Sequence, residues 1–215
     1  MIILGIILLV VIYFLYRSLF SGSTLASKVY LNGSNGQMSY DDMSSPGSSR
    51  FSFSLWVYIE NLNSAGNSVI FEIPGSFQLF VTPDAYLKYS IGGGDNVITS
   101  NYPLQRWVHV IISFDNSVVD SYLDGKLIRS QQLSSVPTIG GVGKSISYGS
   151  GVEGYIAKFE RLTQPMDPGT AWSKYMAGNG GGLAGTGGSG GGFSNYSGSF
   201  TLTKDNLDVS KVRLF

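Results

Sequence analysis

Between Phe51 and Leu162 the sequence is cut into short runs of β-forming residues, each closed by residues that turn the chain. Phe51-Ser52-Phe53-Ser54-Leu55-Trp56-Val57-Tyr58-Ile59 alternates with the two-residue period of a strand. Val69 to Ile73, Phe77 to Thr82 and Tyr86 to Ile91 follow, separated by Pro74-Gly75 and Pro83-Asp84. Proline presets φ for such turns, glycine supplies a positive φ, and aspartate bonds its own backbone. Arg106 to Asp115 and Val118 to Leu123 come next, and Asp124-Gly125 joins the second of these to Lys126-Leu127-Ile128-Arg129. Asp-Gly between alternating runs predicts a type I′ hairpin, because that turn needs φ > 0 at both positions. Gly154 to Leu162 adds another strand. Short strands at this spacing predict an antiparallel sandwich or barrel.

A chain of 215 residues suffices for one sizeable domain with appendages. Met1 to Tyr16 has no charged side chain, and the apolar run reaches Phe20 with Arg17 able to snorkel. That is close to the ~20 residues that cross a bilayer, and Tyr13 and Tyr16 sit where interfacial aromatics belong. A cleaved signal peptide normally carries a basic region before its apolar core, and nothing basic precedes Ile2. Residues 1–20 are therefore expected to be a retained single-pass transmembrane anchor, and residues 21–50 a linker with a first strand region. Near the other end, Asp167-Pro168 reads as the N-cap and first residue of a short helix that continues through Met176 and stops at Gly178. Residues 178–192 hold ten glycines in fifteen positions, the composition of a linker. Glycine also lets a backbone approach a neighbour closely, so Gly178, Gly180, Gly187 and Gly191 are candidate partner contacts. Residues 193–215 are expected to form two further strands, Phe200 to Thr203 and Val209 to Phe215.

Composition excludes several chemistries. There is no cysteine, so disulfides, thiolate zinc sites and cysteine nucleophiles are absent, and a reducing compartment is favoured. Charged residues are 13% of the chain, and fourteen basic side chains balance fourteen acidic ones. No electrostatic footprint for nucleic acid results. His109 is the one histidine. It shares strand parity with Trp107 and Ile111, which predicts an inward or half-buried imidazole with a hydrogen-bond partner. No Gly-x-Ser-x-Gly elbow occurs. Gly92 to Gly94 lack the Lys-Ser/Thr of a phosphate loop and read as a surface turn. Trp56, Trp107 and Trp172 are expected to serve packing.

Three segments together carry a resemblance over residues 51–177. They are Phe51-Ser-Phe-Ser-Leu-Trp-Val-Tyr, then Arg106-Trp-Val-His-Val-Ile-Ile-Ser-Phe-Asp with Tyr122-Leu-Asp-Gly-Lys-Leu-Ile, then Gly154-Tyr-Ile-Ala-Lys-Phe-Glu-Arg-Leu with the stretch Asp167 to Tyr175. In this order they resemble laminin G-like domains of the concanavalin A-like jelly-roll superfamily. The resemblance implies an all-β antiparallel jelly-roll sandwich with a short C-terminal-side helix. Glycosidases of related folds place carboxylates on a Glu-x-Asp-x-x-Glu strand; that spacing is missing here, and no enzymatic activity is expected. Some laminin G-like domains hold calcium at the sandwich rim through Asp and Asn oxygens, which makes Asp95, Asn96, Asp115, Asn116 and Asp120 candidate ligands. A lectin of this kind would place loop aromatics against sugar rings, and Tyr86, Tyr89, Tyr102 and Tyr148 are the candidates. Anchor, cysteine-free sandwich and Gly-rich tail also resemble the minor capsid and inner-membrane proteins of nucleocytoplasmic large DNA viruses. Two functions are therefore expected in order: a non-enzymatic structural protein tethering a virion membrane to coat or scaffold proteins, and a membrane-anchored carbohydrate-binding module.

Overall fold

The computed structural model describes residues 5, 7–13, 22–31, 36–141 and 143–179, and the backbone of 199–204 and 207–213. Two units separate in the chain, Met1–Asn179 and Gly180–Phe215. The first is a sandwich of two six-stranded antiparallel sheets. Sheet A runs in the order β1 (Gly22–Tyr30), β12 (Glu153–Leu162), β3 (Arg50–Asn61), β8 (Trp107–Asp115), β9 (Val118–Leu123) and β10 (Lys126–Gln132). Sheet B runs β2 (Gly36–Ser39), β11 (Ser145–Ser150), β4 (Ser68–Ile73), β5 (Phe77–Val81), β6 (Leu87–Ile91) and β7 (Gly94–Thr99). The second unit contains one antiparallel pair, β13 (Ser199–Lys204) with β14 (Leu207–Arg213).

The expected strands between Phe51 and Leu162 all form, within a residue or two for most of their ends. Four more, β1, β2, β7 and β11, complete the sheets, so Gly22–Tyr30 and Gly36–Ser39 contribute strands to the sandwich. The segment after the Gly92–Gly93 turn is strand as well. Alternation builds the core: Phe51, Phe53, Leu55, Val57 and Ile59 of β3 point inward beside Val108, Val110, Ile112 and Phe114 of β8. They meet Phe71, Phe77, Leu79 and Tyr89 of sheet B, and Phe53 packs edge-on against Phe71 with ring centroids 5.1 Å apart. Each such fully buried side chain contributes about 1.5–3 kcal/mol. Arg161 also faces inward and is buried; it donates to the carbonyls of Ser44 and Ser45 and to the Tyr40 hydroxyl, beneath the face of Phe51. No sequence pattern announced that strut.

The helix Pro168–Met176 begins as expected: the Asp167 carboxylate accepts from Thr170 N–H, and Pro168 opens the first turn. Gly178 closes it at φ 70°, and Lys158 Nζ donates to the end carbonyls of Ala177 and Gly178. Gly178 thus serves as a helix terminator. Gly180, Gly187 and Gly191 lie outside the described residues, as does most of the expected anchor at 1–20. Residues 7–13 are helical, and among the described residues no helix is long and apolar enough to cross a membrane.

The helix lies on the outer face of sheet A. Ala171 and Met166 pack on Ile111 and Tyr122 in a small second core, and the Asp124-Gly125 hairpin sits under the helix. Both hairpin residues have positive φ, 48° and 74°, as the type I′ turn requires. A Cβ on Gly125 would lie 3.0 Å from Tyr175 Cβ and 3.1 Å from Trp172 Cα. Gly93 has a similar φ of 81° but open space around it. Gly125→Ala should therefore lower the unfolding free energy by about 2 kcal/mol, combining the left-handed backbone with overpacking, and Gly93→Ala by about 1 kcal/mol. Urea unfolding of both variants checks this; an equal or smaller loss at Gly125 contradicts close helix packing.

Candidate functional site

The outer face of sheet A has two halves. One is covered by the helix. There Trp56, His109 and Tyr175 stack: Trp56 to His109 at 4.9 Å and Trp56 to Tyr175 at 5.6 Å, with planes within about 27°. His109 is 2% exposed, as its parity predicted, and its Nε2 shares a 3.1 Å hydrogen bond with Ser54 Oγ. Its backbone N–H donates to Asp124 Oδ1, while Arg106 donates to Asp124 Oδ2 at 2.7 Å. Burial, seconded by the Lys174 charge, pushes the imidazole down to about 4, and Asp124 opposes this only in part. His109 is therefore a neutral packing element at physiological pH.

The other half is left uncovered by the described residues and is aromatic. Two residues further along each strand, Tyr30 of β1 stands opposite Tyr155 of β12, Tyr155 opposite Tyr58 of β3, and Tyr58 opposite Trp107 of β8. Four neighbouring strands thus place four aromatic side chains in one row across the sheet. Successive ring centroids are 4.6, 6.3 and 5.7 Å apart, with planes tilted by 45°, 67° and 57°. Tyr58, Trp107 and Tyr155, with Lys28 and Glu60, line a cleft of about 240 Å³. Lys28 Nζ lies 6.0 Å from the Trp107 ring and 5.9 Å from the Tyr155 ring, near the outer limit of a cation–π contact. The ion pairs of the described residues lie elsewhere, so the ammonium and the Glu60 carboxylate both remain available to a ligand.

Two other hollows lack such a surface. One of about 350 Å³ at the end of sheet B is lined by Glu72, Gln78 and Ser90 among others, and offers only the buried edge of Phe77. Glu72 is there engaged by Gln78 and Ser147. The second, about 370 Å³ beside Asp167 and Lys174, has no aromatic ring in its lining.

The tyrosines singled out from sequence do not form one surface. Tyr89 is 1% exposed because it alternates inward with Leu87 on β6, stacked on Phe77 at 6.1 Å, and burial pushes its hydroxyl up to about 12. Tyr102 is 2% exposed, and burial raises its hydroxyl far above the ordinary value. Tyr148 is half-buried against Phe159. Tyr86 alone is exposed, at 38%, in the turn before β6. Trp107 packs on Tyr58 and Tyr155 and also lines the cleft, while Trp172 is exposed on the helix. Parity shows that Trp56 and Tyr58 face away from Phe53 and Leu55, but only pairing register brings Tyr58, Tyr155, Tyr30 and Trp107 together.

The candidate calcium ligands are spread over two sheets. Asp95 faces Lys88 at 3.8 Å, and Asn96 accepts from Gln131, both on β7. Asp115, at the end of β8, and Asn116, in the turn to β9, are engaged by Arg50 and Ser49 respectively, and Asp120 lies on β9. Among the described residues no three histidine or carboxylate groups converge as a metal site needs.

The sequence profile of the family described as the concanavalin A-like lectin/glucanases superfamily matches residues 31–160, well over half of the chain, and the protein belongs to that family. Among curated proteins the sequence finds no match. Solved structures share the fold at low identity. The botulinum neurotoxin serotype D ligand-binding domain, solved with N-acetylneuraminic acid, aligns with TM-score 0.57 at 13% identity, over 74% of this chain and 46% of its own. A receptor binding domain gives TM-score 0.50 at 15% identity, over 60% of this chain and 35% of its own. Domain 4 of a Geobacillus stearothermophilus arabinanase, solved with arabinotriose, gives 0.49 at 17%, over 72% and 85%. The protein spans under half of the neurotoxin domain.

A neutral His109 buried in an aromatic stack has a measurable consequence. The unfolded state takes up a proton below 6.5 and the folded state only near 4, so stability is complete above about 6.5 and falls as pH drops toward 4, by up to about 3 kcal/mol. Denaturant unfolding of His109→Phe should lack most of this acid-side slope; an unchanged slope would place its origin elsewhere.

Proposed function

We propose that this protein is a non-enzymatic carbohydrate-binding module whose ligand lies on the aromatic row of sheet A. The observation that carries this reading is the cleft of Tyr58, Trp107 and Tyr155 flanked by one cationic donor, Lys28, and one anionic acceptor, Glu60, neither in an ion pair among the described residues. Apolar C–H faces of a sugar pack on aromatic rings while its hydroxyls need donors and acceptors at the edges. Both are present, on strands rather than mobile loops. Family membership supports the reading by analogy alone.

Attachment to a membrane through the N-terminal helix is part of the same proposal. Ile7 to Ile12 are all exposed, at 47–67%, and a helix apolar all round calls for an apolar surrounding. A coat or scaffold role for the tethered domain, of the minor-capsid kind, is the second reading and rests on the same helix. Cross-linking on the native membrane separates the two, since reproducible links from Lys144 or Lys211 to a few defined proteins favour the scaffold.

Calorimetric titration with oligosaccharides tests the site. Trp107→Ala should weaken binding at least about tenfold, or about 1.4 kcal/mol, with Tyr155→Ala close behind and Tyr86→Ala unchanged. Full binding by Trp107→Ala, or loss with Tyr86→Ala, would move the site to the loops.

A further inference from the structure

We infer that the row of sheet A takes the interior of a neutral, linear glycan chain lying across the strands, rather than a terminal sugar; this rests on the carbohydrate reading above. Three inter-strand steps separate Tyr30 from Trp107, so the row extends about 14 Å at the usual strand spacing. That is longer than one sugar ring and gives successive rings of a chain successive aromatic partners. One end of the row is open on the sheet surface, since Tyr30 lies on edge strand β1 and is exposed at 38%. A site for a terminal sugar needs instead a closed end that a continuing chain would strike.

The tilts narrow the class further. Adjacent planes turn by 45–67°, so the four rings cannot lie together against a flat, crystalline sheet of parallel chains. They suit a single dissolved chain whose rings rotate from one unit to the next. Charge points to a neutral chain. Lys28 gains from an acidic sugar, but Glu60 lines the same cleft and opposes it, whereas hydroxyls satisfy a donor and an acceptor alike. One side of the row is walled by the helix, where Tyr175 covers Trp56, which leaves room for one chain and not a bundle.

The experiment uses the full chain with β-linked glucose, xylose and N-acetylglucosamine oligomers of one to six rings, followed by calorimetry. Affinity should rise steeply, roughly tenfold per ring over the first few rings as each gains a stacking partner, and then level off. Tyr30 does not line the cleft of Tyr58, Trp107 and Tyr155, so Tyr30→Ala should weaken the longer oligomers more than the dimers. Equal binding of monomer and hexamer, or a Tyr30→Ala loss that is the same at every length, overturns the extended-chain inference while leaving the carbohydrate reading standing. Tighter binding of oligogalacturonate than of any neutral series overturns neutrality. Binding of none of these sugars sinks both readings together.

Discussion

The pairing register of β3 with its neighbours β8 and β12 is the constraint on which the rest depends. Side chains on a strand alternate between faces, so this register fixes two surfaces at once. On one face it assembles Phe51, Phe53, Leu55, Val57 and Ile59 with the β8 aliphatics and Phe114 into the core. On the other it lines up Tyr58 with Trp107 and Tyr155. A slip by one residue would send phenylalanines to water and bring Trp56 and Tyr58 inward. The burial that drives folding therefore also enforces the aromatic row, and the row needs no stabilising contacts of its own to persist. A bulge in β12 at Lys158, with φ 46°, lets one strand serve both surfaces: Phe159 turns into the core while Glu160 faces Lys174 of the helix.

The helix then decides how much of the outer face is available. It seals the half holding Ile111, Tyr122, Trp56 and His109 and leaves the next row open. Its position is set by features of different kinds: the Asp167 cap, the Lys158 contact at its end, and a hairpin that lacks a side chain at Gly125. Because the open rings stand on strands anchored by the core, a ligand would find them already placed and would lose little to ordering the site.

Much of the fold was legible because its signals are local. Turn pairs such as Pro74-Gly75 and Asp124-Gly125 and the alternation of 51–59 mark strands without reference to distant residues, and Asp167-Pro168 marks the helix. Strands β1, β2, β7 and β11 were harder, since Gly22–Tyr30 and Ser145–Ser150 are polar and glycine-bearing and owe their pairing to partners far along the chain. The site was not legible for the same reason. Each of Tyr30, Tyr58, Trp107 and Tyr155 looks like an ordinary strand aromatic, and their adjacency is a property of long-range register. Tyr102 looked like a loop aromatic because Asn101 and Pro103 flank it, and Tyr89 sits on a short strand close to two turns, yet parity carries Tyr89 inward, and Tyr102 is buried in the loop that leads into β8.

One measurement bears on the central claim more directly than any other. The chain has three indoles, Trp56, Trp107 and Trp172, and their side-chain N–H signals can be followed together by nitrogen-15 NMR while a β-linked tetrasaccharide is added. The account predicts that the Trp107 signal moves in a saturable way while those of Trp56, under Tyr175, and Trp172, on the helix, stay in place. A bound tetrasaccharide that shifts Trp172 or the backbone around Tyr86 and leaves Trp107 unmoved would contradict it.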